Sequence, residues 1–160
     1  MSHLGRAQGL VNLLRGSVPL ARRRRVVVLP LALLNKHNLN QEMVLRLLLA
    51  DPIQSQSNSS LENLLDMYHD LASEAHRHAC TSAQLARQAI VEAKANDRTH
   101  SRHYLVRQML PIVPVANYLH RLRTWAHFDP RRIDSYIDGL LPVKLSWYAW
   151  CNKLPPEPKA

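Results

Sequence analysis

SSLENLLDMYHDLASEAHRHACTSAQLARQAIVEAKAN, residues 59 to 96, is the stretch that decides the fold. It opens with Ser59 and Glu62 in the S-x-x-E spacing of a capping box, in which two side chains satisfy backbone N–H groups of a first helical turn. No glycine or proline follows until Pro111. Leu61, Leu65, Tyr68, Ala72, Ala75, Ala79, Ser82, Ala86, Ala89 and Ala93 recur at alternating gaps of four and three, the period that keeps one stripe of a helix against a neighbour. The spacing predicts a helix from residue 60 to about 96, on the order of 50 Å long at 1.5 Å per residue. Its seam passes from Leu and Tyr to Ala. Small residues let a partner helix approach closely while burying little area. Residues 104–110 and 115–128 are internal candidates for that partner. Both are shorter than the long helix, so part of the seam is expected to face another subunit.

Working outward, Asn38 or Asn40 can cap a short helix through Ala50, with Met43, Val44, Leu47 and Leu48 inward and Asp51-Pro52 as the stop. IQSQSNSS, residues 53 to 60, is a polar linker. A break is expected near Asn96-Asp97. Pro114 suits the first turn of a helix running to His127, with Val115, Tyr118, Leu119, Leu122, Trp125 and Ala126 inward and Arg121 and Arg123 outward. Asp129-Pro130 reads as a cap with proline at the first helical position, and Gly139 as the end of that helix. The close, Pro155-Pro156-Glu157-Pro158, has no helical option. The expected fold is all-α: one long Ala-seamed helix with several shorter helices packed on it, an extended basic N-terminal arm and a Pro-rich C-terminal tail. The divisions are an arm at 1–37, a short helix at 38–51, a linker at 52–59, a helical body at 60–141 and an aromatic, Pro-rich tail at 142–160.

Charge is distributed unevenly. The first acidic residue is Glu42, and before it stand Arg6, Arg15, Arg22, Arg23, Arg24, Arg25 and Lys36. The chain's net +9 is therefore mostly N-terminal, and the remainder carries +2. Leu4, Ala7, Val11, Leu14 and Val18 at three- and four-residue steps give this segment an amphipathic stripe. An acid-free, Arg-rich, Leu-rich start has the composition of a mitochondrial import signal, here expected to stay on the mature protein. The same six arginines suit anionic lipid headgroups of a cardiolipin-like kind, an acidic protein surface or, on the alternative reading, RNA phosphates. The longest apolar run, Val26 to Leu34, has nine residues and includes Pro30, against the roughly 20 that a spanning helix needs.

Chemistry has little to rest on. Four glycines, Gly5, Gly9, Gly16 and Gly139, build no phosphate cradle, and no nucleophile elbow or P-loop is present. Asp66 and Asp70 lie one helical turn apart, a geometry open to acid-base work but far commoner as solvated charge. His69, His76 and Cys80 share a helix face, and His100 and His103 follow; without a paired His/Cys motif they suggest no metal site. Cys80 and Cys151 lie too far apart in sequence for a CxxC motif and read as inert packing. No catalytic residue, metal or cofactor is expected. Trp147, Tyr148 and Trp150 beside Lys144 and Lys153 suit a protein groove or a membrane interface.

A basic, Leu-rich start, an Ala-seamed helix and the lack of a catalytic motif resemble the accessory subunits of mitochondrial inner-membrane complexes. That resemblance is one of kind and carries no functional residue over. It implies a non-catalytic subunit of a respiratory-chain complex or of ATP synthase, peripheral to the inner membrane, that braces neighbouring protein subunits. The alternative is a mitochondrial ribosomal protein whose Arg arm binds rRNA. A folded body of only +2 argues against it, since ribosomal proteins spread their cations over the body.

Overall fold

The computed structural model describes residues 2–50, 59–95, 99–133, 139–151 and 153–155. Seven α-helices and a 3₁₀ turn make up these residues: α1 Ser2–Arg24, α2 Leu31–Lys36, α3 Gln41–Leu49, α4 Ser59–Ala95, α5 Thr99–Met109, α6 Ile112–Thr124, the turn Pro130–Arg132, and α7 Leu141–Cys151. The long helix stands as expected, with shorter helices packed on it. Asn40 caps α3 by accepting the Met43 N–H at 2.7 Å, and Asp129 accepts the Arg131 N–H ahead of the 3₁₀ turn. The helix expected from Pro130 to Gly139 begins as a 3₁₀ turn capped at Ile133, and Ser59, expected to close the linker at 52–59, already stands in α4. The expected break at Asn96-Asp97, residues 134–138, the linker up to residue 58 and the tail beyond Pro155 lie outside the described residues.

The N-terminal segment differs from expectation. It is no extended arm but helix α1, and its stripe of Leu4, Ala7, Val11, Leu14, Val18 and Ala21 is buried. This helix is the partner of the α4 seam. Tyr68, Ala72, Ala75, Ala79, Ser82 and Ala86 are buried, while Leu61, Leu65, Ala89 and Ala93 are half-buried at the seam's ends. The seam is thus covered from within the chain where another subunit was expected over part of it. The two helices run antiparallel, with His3 by His78 and Ser17 by Tyr68, so Ala7 on α1 lies along the alanine-lined half of α4, where small side chains let the backbones approach. A fully buried polar contact helps fix the register: the Tyr68 hydroxyl donates to Ser17 Oγ at 2.5 Å, and Ser17 Oγ donates to the Leu14 carbonyl at 2.8 Å. Burial pushes the Tyr68 phenol well above its ordinary value. Arg25, in the left-handed region at φ 56°, ends α1 with its N–H on the Ala21 carbonyl.

The C-terminal region also differs. Residues 142 to 151, expected as part of a tail, form helix α7 together with Leu141. Leu141, Leu145 and Tyr148 pack on the core, whereas Val143, Trp147 and Trp150 are exposed. Trp125, expected inward on α6, is at the surface, because the helix ends at Thr124 and the cap carries its ring outward. Arg121, expected outward, is half-buried beneath it, 5.9 Å from the Trp125 ring centroid.

Candidate functional site

Helices α1 and α6 line a cavity of about 590 Å³, within the usual size range for a small-molecule site. From α1 come Asn12, Arg15 and Pro19; from α6, Asn117, Tyr118 and Arg121; and Leu141 at the start of α7 closes one end. Pro19 inside α1 withholds a backbone N–H from the helix on the side that lines this space. The lining joins two guanidiniums and two amides to apolar Leu14, Val18 and Ile133, and among the described residues it contains no carboxylate, histidine or cysteine. Such a wall can receive an anion with an apolar body. It offers no general base of ordinary pKa and no oxygen cluster for a hard divalent cation.

A smaller hollow of about 290 Å³ lies between α4 and α6, lined by His69, Ser73, His76, His120, Arg123 and Phe128. His69 meets Phe128 edge to face with centroids 4.7 Å apart. Cys80 Sγ lies 3.7 Å from His76 Nε2, and burial pushes its thiol up, away from thiolate character. Among the described residues no three His, Cys, Asp or Glu side chains are placed to share a metal ion.

The Asp66 and Asp70 pair separates into different roles. Asp70 receives Lys36 Nζ at 2.5 Å and His37 Nε2 at 3.2 Å, which clips α2 to α4, while Asp66 is exposed. The Lys36 hydrogen bond holds the Asp70 carboxyl below its usual range. Further along α4, Glu74 takes Arg77 at 2.5 Å and His78 Nε2 at 3.1 Å, and His78 Nδ1 lies 2.9 Å from His3 Nδ1.

Of the residues singled out in the sequence, Arg6, Arg15 and Arg22 to Arg25 lie on the exposed side of α1 and its cap. Only Arg15 reaches the cavity. Trp147 and Trp150 are exposed and meet edge to face, and Tyr148 is half-buried between them and the core. Sequence reasoning missed Asn12, Asn117, Tyr118 and Arg121, because elements about a hundred residues apart meet only in three dimensions. The signal at hand was Pro19, a helix breaker placed directly after the amphipathic stripe that ends at Val18 and still inside α1.

The squalene/phytoene synthase family model matches residues 1–134. A Drosophila melanogaster protein named NADH dehydrogenase (ubiquinone) complex I, assembly factor 6 homolog is 33% identical over 153 residues, which cover 95% of this chain and 39% of the fly protein. The Mus musculus protein named NADH dehydrogenase (ubiquinone) complex I, assembly factor 6 is 34% identical over 92 residues, 58% of this chain and 24% of its own length. Its Rattus norvegicus counterpart is 36% identical over 77 residues, 48% of this chain and 20% of its own length. The chain therefore spans two fifths or less of the curated relatives it matches. No solved structure matches it.

Proposed function

The chain belongs to the squalene/phytoene synthase family, and from that premise we propose that it is a non-catalytic mitochondrial factor in the assembly of respiratory complex I, peripheral to the inner membrane and acting through contacts with protein subunits. The observation that carries this reading is the similarity along 95% of the chain to a protein named as a complex I assembly factor homolog. The names of the mouse and rat relatives agree. They turn the expected role from a resident accessory subunit of the respiratory chain or ATP synthase into one of building complex I, and they lend nothing to the ribosomal alternative.

The non-catalytic part rests on the cavity. Its described lining supplies arginine, amide and phenol groups, with no carboxylate to serve as a general base or to hold a divalent cation. No described helix is long and apolar enough to cross a membrane, which suits a peripheral position. Arg6 and Arg22 to Arg25, exposed on α1 and its cap, supply a cationic face for acidic subunit surfaces.

Depletion followed by native gel electrophoresis of mitochondrial membranes tests the reading. Assembled complex I is expected to fall while ATP synthase and mitochondrial translation persist. Unchanged complex I, or loss of translation first, refutes it.

A further inference from the structure

Helix α7 poses a physical problem. LPVKLSWYAWC is apolar on nearly every side, and a helix of that kind is normally enclosed. Here one stripe, Leu141, Leu145 and Tyr148, rests on the core. The opposite stripe, Leu140, Val143, Trp147 and Trp150 at gaps of three, four and three, faces outward, with Trp147 58% and Trp150 84% exposed. A contiguous apolar face of this size on a folded protein marks a docking surface.

Charge around the face decides what covers it. From Gly139 to Pro155 the sequence carries Lys144 and Lys153 and no acid. Leu141 shares its cavity with Arg15 and Arg121. Arg22 lies two turns beyond Arg15, on the same side of α1. Arg121 in turn underlies the exposed ring of Trp125. The described exposed carboxylates, Glu42, Glu62, Asp66 and Glu92, stand instead on α3 and α4. An apolar, tryptophan-bearing stripe bordered by cations is the arrangement that suits the headgroup boundary of an anionic bilayer. Eleven residues reach about 16 Å as a helix, far short of the roughly 30 Å hydrocarbon core, so the helix can only lie in the interface plane.

We infer that α7 is an interfacial membrane anchor, which inserts Val143, Trp147 and Trp150 among the acyl chains of an anionic phospholipid surface while Lys144, Lys153 and Arg15 meet its phosphates. The inference deepens the peripheral placement proposed above by naming the element that achieves it.

The test is flotation of the purified full chain with vesicles of phosphatidylcholine alone, and of phosphatidylcholine with one-fifth cardiolipin. Wild type is expected to float with the anionic vesicles and to bind the neutral ones weakly. The double variant Trp147→Ser, Trp150→Ser, whose side chains lie outside the core, is expected to lose at least about tenfold in partitioning with helicity and melting temperature unchanged. Tyr104→Ser, an exposed aromatic on α5, serves as the control and should bind as wild type does. A folded double variant that floats like wild type overturns the inference, as does equal binding to both vesicle types. Failure of wild type to float also overturns it, and crosslinks from position 147 into a complex I subunit would then assign the face to protein. Because the assay uses purified protein and lipid, its failure leaves the complex I reading standing, and the reverse also holds.

Discussion

The hydroxyl pair at the centre of the α1–α4 interface makes an asymmetric prediction. Tyr68 is fully buried and donates to Ser17 Oγ at 2.5 Å, while Ser17 donates onward to the Leu14 carbonyl at 2.8 Å. In Ser17→Ala the phenol keeps its buried donor and loses its acceptor, a cost of about 2 kcal/mol from the 1–3 kcal/mol range for an unsatisfied buried group. In Tyr68→Phe the serine still has the Leu14 carbonyl, so the loss is that of one net hydrogen bond, about 1 kcal/mol. Removing both partners leaves no orphan, and the double variant should cost about 1 kcal/mol where simple addition would give about 3, a coupling of roughly 2 kcal/mol. Urea unfolding of the four proteins measures the cycle, and in thermal melts each kcal/mol should appear as roughly 2–4 °C for a chain of this length. High pH supplies a second readout. Because the folded state raises the Tyr68 phenol above its ordinary value, the stability it confers is complete below about pH 10 and is lost as pH rises beyond it. Tyr68→Phe should flatten that alkaline decline. Additive single costs, or a Ser17→Ala variant as stable as wild type, would refute the view that this hydrogen bond is enclosed between the two helices.

Two further predictions concern packing and charge. Ala79→Leu places three more carbons in the closed α1–α4 seam, where Ala79 has no exposure, and should cost about 1–3 kcal/mol in urea unfolding. Gln84→Leu, on the exposed side of the same helix, should be tolerated to within about 0.5 kcal/mol. Asp129 holds the buried Arg131 guanidinium through two hydrogen bonds of 2.9 and 2.8 Å, and that guanidinium reaches the Leu47 carbonyl at 3.3 Å, which ties α3 to the 3₁₀ turn. Asp129→Ala should cost about 3–5 kcal/mol, because it strands a buried charge. Adding Arg131→Met should recover part of that loss in the same measurement.

Helix content and the seam were legible in the sequence, because both follow from local periodicity. The gaps of four and three from Leu61 to Ala93 place one stripe on one face whatever lies opposite. Asn40 and Asp129 mark helix starts by accepting bonds from their own neighbours, and Pro114 marks one because a first turn leaves its missing N–H without consequence. What the stripe packs against could not be read in this way. Leu4, Ala7, Val11, Leu14 and Val18 have the same amphipathic spacing whether the segment is an import signal, a membrane-surface helix or a core helix, since all three need one apolar face. Only the folded chain decides among them, by pairing Ser17 with Tyr68 and enclosing the stripe against α4. The cavity was hidden for the same reason: Asn12, Arg15, Asn117 and Arg121 carry no shared spacing and meet only because α1 and α6 cross the same face of the bundle. Trp125 and Arg121 exchanged their expected positions because a helix end, unlike a helix face, is set by the cap and the neighbour it meets rather than by period. Local chemistry belongs to the sequence, and contact across long separations belongs to the tertiary structure, because closing a long loop is offset only when the whole apolar face is buried at once.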